Sequence, residues 1–131
     1  MNPAEVYRTQ AVYTAPPHVQ IAQLHQQAAV WTRGVHADVE EQKIVEARQK
    51  IQYIQDIITF LRSSLDFQFE VSKKTESTYI FYYNLYVDWF LHPDKVIEDQ
   101  EAYESAVEYW ESWAKTWMQA NKLSAQNTQK P

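Results

Sequence analysis

Seven apolar residues spaced alternately three and four positions apart constrain the fold of this chain more than any other feature. They fall between positions 44 and 65 and are Ile44, Ala47, Ile51, Ile54, Ile58, Leu61 and Leu65. This spacing places all seven side chains on one face of an α-helix, and about three heptads of it predict a long helix with a continuous apolar seam. We expect Asp38 to cap this helix, with Glu41 completing a capping box, and Glu46 to pair with Lys50 on its surface.

Three further segments have the same helical periodicity. The first follows Pro16-Pro17 and contains Gly34, which fits either the end of that helix or its interior. The next covers residues 70–91 and ends at His92-Pro93, because a residue that precedes proline disfavours the α conformation. The last begins at Pro93-Asp94 and runs to about Asn121. Their main apolar faces are formed by Ile21, Leu24, Ala28, Trp31 and Val35, by Tyr79, Tyr82, Tyr86 and Trp89, and by Tyr103, Ala106, Trp110, Trp113, Trp117 and Ala120.

Short connections between long amphipathic helices favour antiparallel neighbours. The sequence therefore predicts an all-α fold, an antiparallel up-down four-helix bundle with an N-terminal strap. A chain of 131 residues fits one domain. We expect residues 17–121 to form the bundle, residues 1–16 to be a leader that docks on it as the strap or lies loose, and the polar residues 122–131 to be a disordered tail.

Composition excludes most catalytic chemistry. The chain has no cysteine and one glycine, which excludes thiolate metal sites, cysteine nucleophiles and glycine-rich phosphate loops. None of the four histidines has a glutamate three positions before it, as the di-iron sites of helical bundles require. We therefore expect a protein that is not an enzyme and that holds no metal and no cofactor.

Charge and hydropathy limit the partners and the compartment. The formal net charge of −5 disfavours binding to nucleic acid. Residues 1–16 lack the positive and apolar regions of a signal peptide, and no apolar run approaches the roughly 18 residues of a membrane span. The sequence predicts a cytoplasmic protein that binds no nucleic acid and does not insert into a membrane.

Aromatic residues exceed what one apolar stripe per helix requires, since the chain has five Trp, nine Tyr and five Phe. A second row lies beside the seam of the second helix, and eleven of the thirteen residues from 79 to 91 are apolar or aromatic. Either the third helix is central and contacts both neighbours, or part of this surface is a groove for a partner helix. The candidate binding residues are Tyr53, Ile57 and Phe60 in the second row, with Phe81 and Tyr83 on the third helix.

Four short motifs along the chain carry a resemblance to a known family. They are the leader Tyr7-x6-Thr14-Ala15-x-Pro17, the second helix from Ala47 to Ser64-Leu65-Asp66, the opening of the third helix at Glu70-Val71-Ser72, and the closing Lys115-Thr116-Trp117 with Ala120. In this order and spacing, over about residues 7–120, they resemble the flagellin secretion chaperones of the FliS family. The third helix departs from the family pattern, because Thr78 replaces a Leu and Asn84-Leu85 replace a basic pair.

The resemblance implies a cytoplasmic export chaperone whose client, the protein it escorts, is flagellin. Members of the family bind the disordered C-terminal segment of flagellin in apolar grooves, prevent premature polymerisation and deliver it to the flagellar export gate. It also implies that the leader covers part of this surface when no client is bound. The candidates for strap contacts, or for contacts with the export gate, are Tyr7, Val12, Thr14, Ala15 and Pro17.

Two readings of the extra apolar surface stay open at this point. The first is the flagellin chaperone, expected as a monomer or a weak homodimer. The second is a self-associating helical-bundle interaction protein with a non-flagellin partner, in which the extra apolar face closes a homodimer.

Overall fold

The computed structural model describes residues 12–13 and 18–129, with side chains as far as Ala120. This part of the chain is helical and contains no strand, which confirms the all-α prediction. The helices are α1 (His18–Glu40), α2 (Ile44–Ser63), α3 (Glu70–Leu91), the single-turn α4 (Lys95–Glu98) and α5 (Gln100–Gln129).

The four long helices surround one core. Helix α1 packs closely against both α2 and α5, and α2 also packs against α3. The contact between α3 and α5 is made by rings, since the ring centroids of Tyr82 and Tyr109 are 4.5 Å apart. The order around the bundle axis is therefore α1, α2, α3, α5, with α1 and α3 diagonally opposed. Helix α4 closes one end against α1 and α5.

Pairs of contacts at the two ends of each interface give the helix directions. Between α2 and α3, Arg62 lies 3.5 Å from Glu76, whereas Arg48 donates a 2.9 Å hydrogen bond to the carbonyl oxygen of Phe90. Helices α2 and α3 are therefore antiparallel. Ring contacts at the two ends of the α1–α5 interface show that α1 and α5 are also antiparallel. The bundle therefore has the predicted up-down-up-down topology.

The α2 seam is the centre of the core. Six of its seven residues are buried, and Ile44 at its start is partly buried. From the other helices the largest fully buried side chains are those of Trp89, Trp110 and Trp117. Burying one such side chain contributes roughly 1.5–3 kcal/mol relative to leaving it exposed, so the sequence periodicity identified the residues that hold the fold together.

The exit of α1 differs from the prediction. The helix continues through Gly34 to Glu40, so Gly34 is an interior residue and Asp38 lies in the last turn of α1. The helix ends in a Schellman motif, in which Lys43 N–H donates to the Asp38 carbonyl at 2.7 Å and Gln42 N–H donates to the Val39 carbonyl at 3.0 Å. Gln42 occupies the left-handed position with φ of 61°. The predicted Asp38 cap of α2 is therefore wrong.

Asp38 instead binds Lys50, which the sequence had paired with Glu46. The Lys50 ammonium donates to Oδ2 of Asp38, so the ion pair links α1 to α2. The stem of Lys50 crosses α1 at Gly34, where an added Cβ would lie 2.9 Å from Lys50 Cδ. Gly34 thus gives Lys50 the space to reach Asp38.

The predicted fourth helix is interrupted. Helix α3 ends at Leu91 as predicted, but the following segment forms α4 and breaks at Asp99 before α5 begins. Asp99 caps α5, because its Oδ1 accepts a 3.1 Å hydrogen bond from Ala102 N–H. Helix α5 also continues past Asn121 to Gln129, where the sequence predicted a disordered tail. Residues 122–129 contain no glycine or proline that would end a helix.

Two residues of the leader are described. Val12 is fully buried in the core, and Tyr13 forms an antiparallel bridge with Leu65 at the end of α2. Asp66 N–H donates to the Val12 carbonyl and fixes the same register. The leader candidates Tyr7, Thr14, Ala15 and Pro17 lie outside the described residues.

Candidate functional site

Large apolar side chains remain exposed after the core is filled. Most of them lie along the edges of the bundle, the lines where two neighbouring helices meet the solvent. In the described part of the chain they are Val30, Val45, Tyr53, Phe60, Phe67, Phe69, Ile80, Phe81, Val87, Leu91, Ile97 and Met118.

The predicted α2 row lies on the α1–α2 edge. Tyr53 is 40 % exposed and its ring centroid lies 5.1 Å from that of Trp31 on α1. Phe60, two turns further along α2, is 41 % exposed. Ile57 lies between them and is only 7 % exposed, because it packs into the core. The edge therefore offers two rings above a buried isoleucine.

The two predicted α3 residues lie on opposite sides of that helix. Phe81, which is 63 % exposed, lines a groove with residues of α5. Tyr83 is half-buried and shares a helix face with Phe90, two turns later, whose ring lies 5.5 Å from the guanidinium carbon of Arg48 on α2. The structure therefore distributes the five candidate residues over three edges instead of one groove.

The groove at the α3–α5 edge has a volume of about 260 Å³. Its floor is apolar, and two carboxylates stand on its rim. The lining residues are Phe81, Tyr82, Leu85, Asp99, Glu101, Ala102 and Ser105.

A larger groove on the α1–α5 edge contains none of the predicted residues. Its volume is about 460 Å³, and Val30 and Met118 stand half-exposed above Ala29 and Ala114. The rim carries both signs of charge, with an ion pair between Arg33 and Glu111 across the edge. Sequence reasoning missed this groove because a single valine and a single methionine outside the main stripes give no periodic signal.

A groove on the α2–α3 edge is smaller than the two described above, with a volume of about 180 Å³. Val87, Phe90 and Leu91 form its apolar side, and Gln52 and Gln55 form the side contributed by α2. Grooves thus follow three edges of the bundle, and exposed rings follow the fourth.

A buried hydrogen-bond chain joins the leader to the core. Nδ1 of His25 donates to the Ile21 carbonyl at 2.8 Å, so Nε2 is the acceptor of the neutral imidazole and receives the Tyr79 hydroxyl at 3.1 Å. The Tyr79 oxygen in turn accepts from the Tyr13 hydroxyl. Burial lowers the pKa of His25 to about 4 and raises the pKa of Tyr79 well above its usual value.

A second chain of this kind ties α1, α3 and α5 together. Trp110 Nε1–H donates to the Tyr86 oxygen at 2.9 Å, and the Tyr86 hydroxyl lies 2.6 Å from Oγ1 of Thr32. Thr32 donates its own proton to the Ala28 carbonyl at 2.7 Å, so it accepts from Tyr86. These polar atoms are satisfied within the core and point into none of the grooves.

Exposed apolar surface is the prominent feature of the described residues. Among them, no group of three or more His, Asp or Glu side chains is placed to hold a metal ion. Over the same part of the chain, none of the helices combines the length and apolarity that crossing a membrane would need. What the arrangement offers is a set of apolar edges suited to binding another polypeptide.

Comparison with known proteins supports this description. The family model described as flagellar protein FliS matches residues 1–124, nearly the whole chain. A search of curated proteins finds no match. Because the family match spans the leader and the four long helices as far as residue 124, this chain belongs to the flagellar protein FliS family, a family of export chaperones and not of enzymes.

Proposed function

We propose that this protein is a cytoplasmic flagellar export chaperone that binds the disordered C-terminal segment of flagellin. Binding would keep the segment from polymerising before secretion and hold it for delivery to the export gate. The observation that carries the proposal is the set of large apolar side chains exposed along the edges of a bundle whose core is already complete.

Binding a disordered client requires a wide apolar surface on the chaperone. A disordered segment loses conformational entropy when it is bound, and that cost must be offset by buried apolar area. At about 25 cal/mol per Å², burying roughly 600 Å² of apolar surface would contribute on the order of 15 kcal/mol before these costs. Several edges used together supply such an area, whereas one groove of a few hundred Å³ does not.

The α1–α2 edge provides the sharpest test of the client-binding residues. A fluorescently labelled flagellin C-terminal segment should bind the wild-type chain, and Tyr53→Ser or Phe60→Ser should weaken binding several-fold while the helical circular dichroism is retained. Val45→Ser is the matched control, because Val45 is 78 % exposed on the same helix but lies on the side of α2 that faces away from α1 and α3. Equal losses in all three variants, or no binding to the wild type, would contradict the proposal.

Ile57 belongs to the same proposed surface but tests it less well. Its burial means that Ile57→Asp places a charge in the core and unfolds the protein. Ile57→Val changes the floor of the edge while leaving the core apolar, so its effect on client affinity can be separated from folding by circular dichroism.

We also propose that the leader competes with the client. Val12 and Tyr13 dock beside Leu65, and the Tyr13 ring packs edge-on against Trp117 with centroids 5.0 Å apart. Deleting residues 1–15 should then raise the association rate or the affinity for flagellin. An unchanged rate and affinity would exclude competition and favour the alternative that Tyr7, Thr14, Ala15 and Pro17 contact the export gate.

Self-association is the alternative to a chaperone function. Sedimentation of the purified chain at several concentrations, with and without the flagellin segment, distinguishes them. A monomer or weak homodimer that forms a complex with the segment supports the chaperone proposal, and a tight dimer that ignores the segment contradicts it.

A further inference from the structure

The α3–α5 groove differs from the other grooves in the sign of its rim. Both charged residues that line it, Asp99 and Glu101, are acidic, whereas the α1–α5 groove carries both signs and the α2–α3 groove carries glutamines. Neither carboxylate has an ion-pair partner in the described part of the chain. Lys95, the first residue of α4, is already held by both oxygens of Asp88 on α3 at 3.1 Å.

Phe81 is the apolar feature of the same groove. It is the most exposed aromatic residue in the described part of the chain, and its ring leans edge-on against Tyr82 with centroids 5.1 Å apart. Tyr82 stacks in turn on Tyr109 of α5, so Phe81 stands on a rigid aromatic base. Such a base reduces the entropy that is lost when a partner covers the ring.

A further carboxylate of α5, that of Glu108, lines the α1–α5 groove but also acts on Tyr82. Glu108 contributes to raising the pKa of Tyr82, after burial as the main cause. An apolar segment with acidic residues of its own would be repelled here, while a segment with a cation beside its apolar side chain would gain both contacts. A lysine or arginine suits the geometry because its aliphatic stem can cover Phe81 while its head reaches Glu101.

We propose that the α3–α5 groove binds a client segment in which a large apolar residue is flanked by lysine or arginine. The groove thereby selects, by charge, which part of a long client lies over Phe81. This inference rests on the proposed function, since it assigns one edge of the same client-binding surface to a segment of stated chemistry.

Two synthetic peptides test the inference. Both carry leucines at helical spacing, and they differ only in having lysine or glutamate next to each leucine. The wild-type chain should bind the lysine peptide at least tenfold more tightly, which corresponds to about 1.4 kcal/mol. Phe81→Ser should remove most of this binding, and Glu101→Lys should weaken the lysine peptide and strengthen the glutamate peptide.

Val45→Ser is the matched control, because Val45 is 78 % exposed on α2 and lines none of the three interhelical grooves. It should leave both affinities unchanged. Equal binding of the two peptides, equal losses in Phe81→Ser and Val45→Ser, or an unchanged preference in Glu101→Lys would each overturn the inference. Circular dichroism of every variant should show the helical spectrum of the wild type.

The flagellin segment separates this inference from the proposed function. If flagellin binds with the same affinity to the wild type, Phe81→Ser and Glu101→Lys, the inference fails while the proposed function stands. If flagellin does not bind but the lysine peptide does, in a manner that depends on Phe81 and Glu101, the proposed function fails and the charge selection of the groove stands.

Discussion

Nε2 of His25 accepts a 3.1 Å hydrogen bond from the Tyr79 hydroxyl across the diagonal of the bundle, between the first and third helices. His25 is fully buried, and its other nitrogen is bonded to the Ile21 carbonyl. The imidazole therefore serves as a neutral bridge that links α1, α3 and, through Tyr13, the leader. In a chain with this many rings, the hydroxyls of the buried tyrosines fix the register between helices.

The buried His25 makes the protein sensitive to mild acid. Its pKa is lowered from 6.5 to about 4 by burial, so the unfolded state binds more protons between these values and stability falls as pH decreases. From pH 7 to pH 5 we expect a loss on the order of 2 kcal/mol from this residue. Urea denaturation at both pH values measures it. The loss should be smaller in His25→Gln, and an equal loss in the two proteins would assign it to other groups.

Buried tyrosines make the protein sensitive to alkali. Burial raises the pKa values of Tyr13, Tyr79, Tyr86 and Tyr109. Above about pH 10 the unfolded state loses these protons while the folded state keeps them, so stability falls as pH rises. The tyrosinate absorbance of these rings should appear together with the loss of helical circular dichroism. Titration of all nine tyrosines near pH 10 with the helices intact would contradict this.

The ion pair between Lys50 and Asp38 should stabilise the α1–α2 interface. Asp38 is buried, so Lys50→Met leaves a carboxylate without its cation and should cost about 2 kcal/mol, below the range for fully buried pairs. Lys43→Met is the control, since Lys43 pairs with Glu41 at the surface, and it should leave the urea midpoint unchanged. The double variant Asp38→Leu with Lys50→Met should recover most of the loss; if it is as unstable as Lys50→Met, the cost comes from packing.

The turn between α1 and α2 contains a residue that glycine should improve. Gln42 has φ of 61° at the left-handed position of a Schellman motif. Gln42→Gly removes the steric cost of a Cβ there and should stabilise the protein by about 0.5–1 kcal/mol after the extra entropy of the unfolded glycine is counted. Gln42→Ala keeps the Cβ and should change little. Thermal unfolding compares the three proteins, and equal melting temperatures would show that the turn stores no strain.

The helices and the core could be read from the sequence, because burying one face of a helix requires a period that is visible in one dimension. Ile51, Ile54 and Ile58 are fully buried as the seam predicts, and α3 spans the predicted range. The family was also identifiable, since the spacing of its motifs survives in the chain, and the family match confirms it.

Helix ends were the weak point of the prediction. Asp38 has the side chain of an N-cap, but it lies at the end of α1 because Lys50, twelve residues later, stabilises it there. No local pattern reveals this partner. Asp99 does act as a cap, and the sequence placed it inside one continuous fourth helix.

The binding surface was only partly predictable, for a geometric reason. A surplus of rings such as Phe60 and Phe81 is visible in the sequence, but the edge to which each ring belongs depends on which helices are neighbours. Ile57 and Tyr53 share a row in the sequence, yet packing buries one and exposes the other. The sequence by itself determined a helical bundle with more apolar surface than its core consumes. The tertiary structure decided how that surplus is divided among the edges, and it gave the α3–α5 groove an acidic rim, because helix adjacency and the charges around a groove arise from residues distant along the chain.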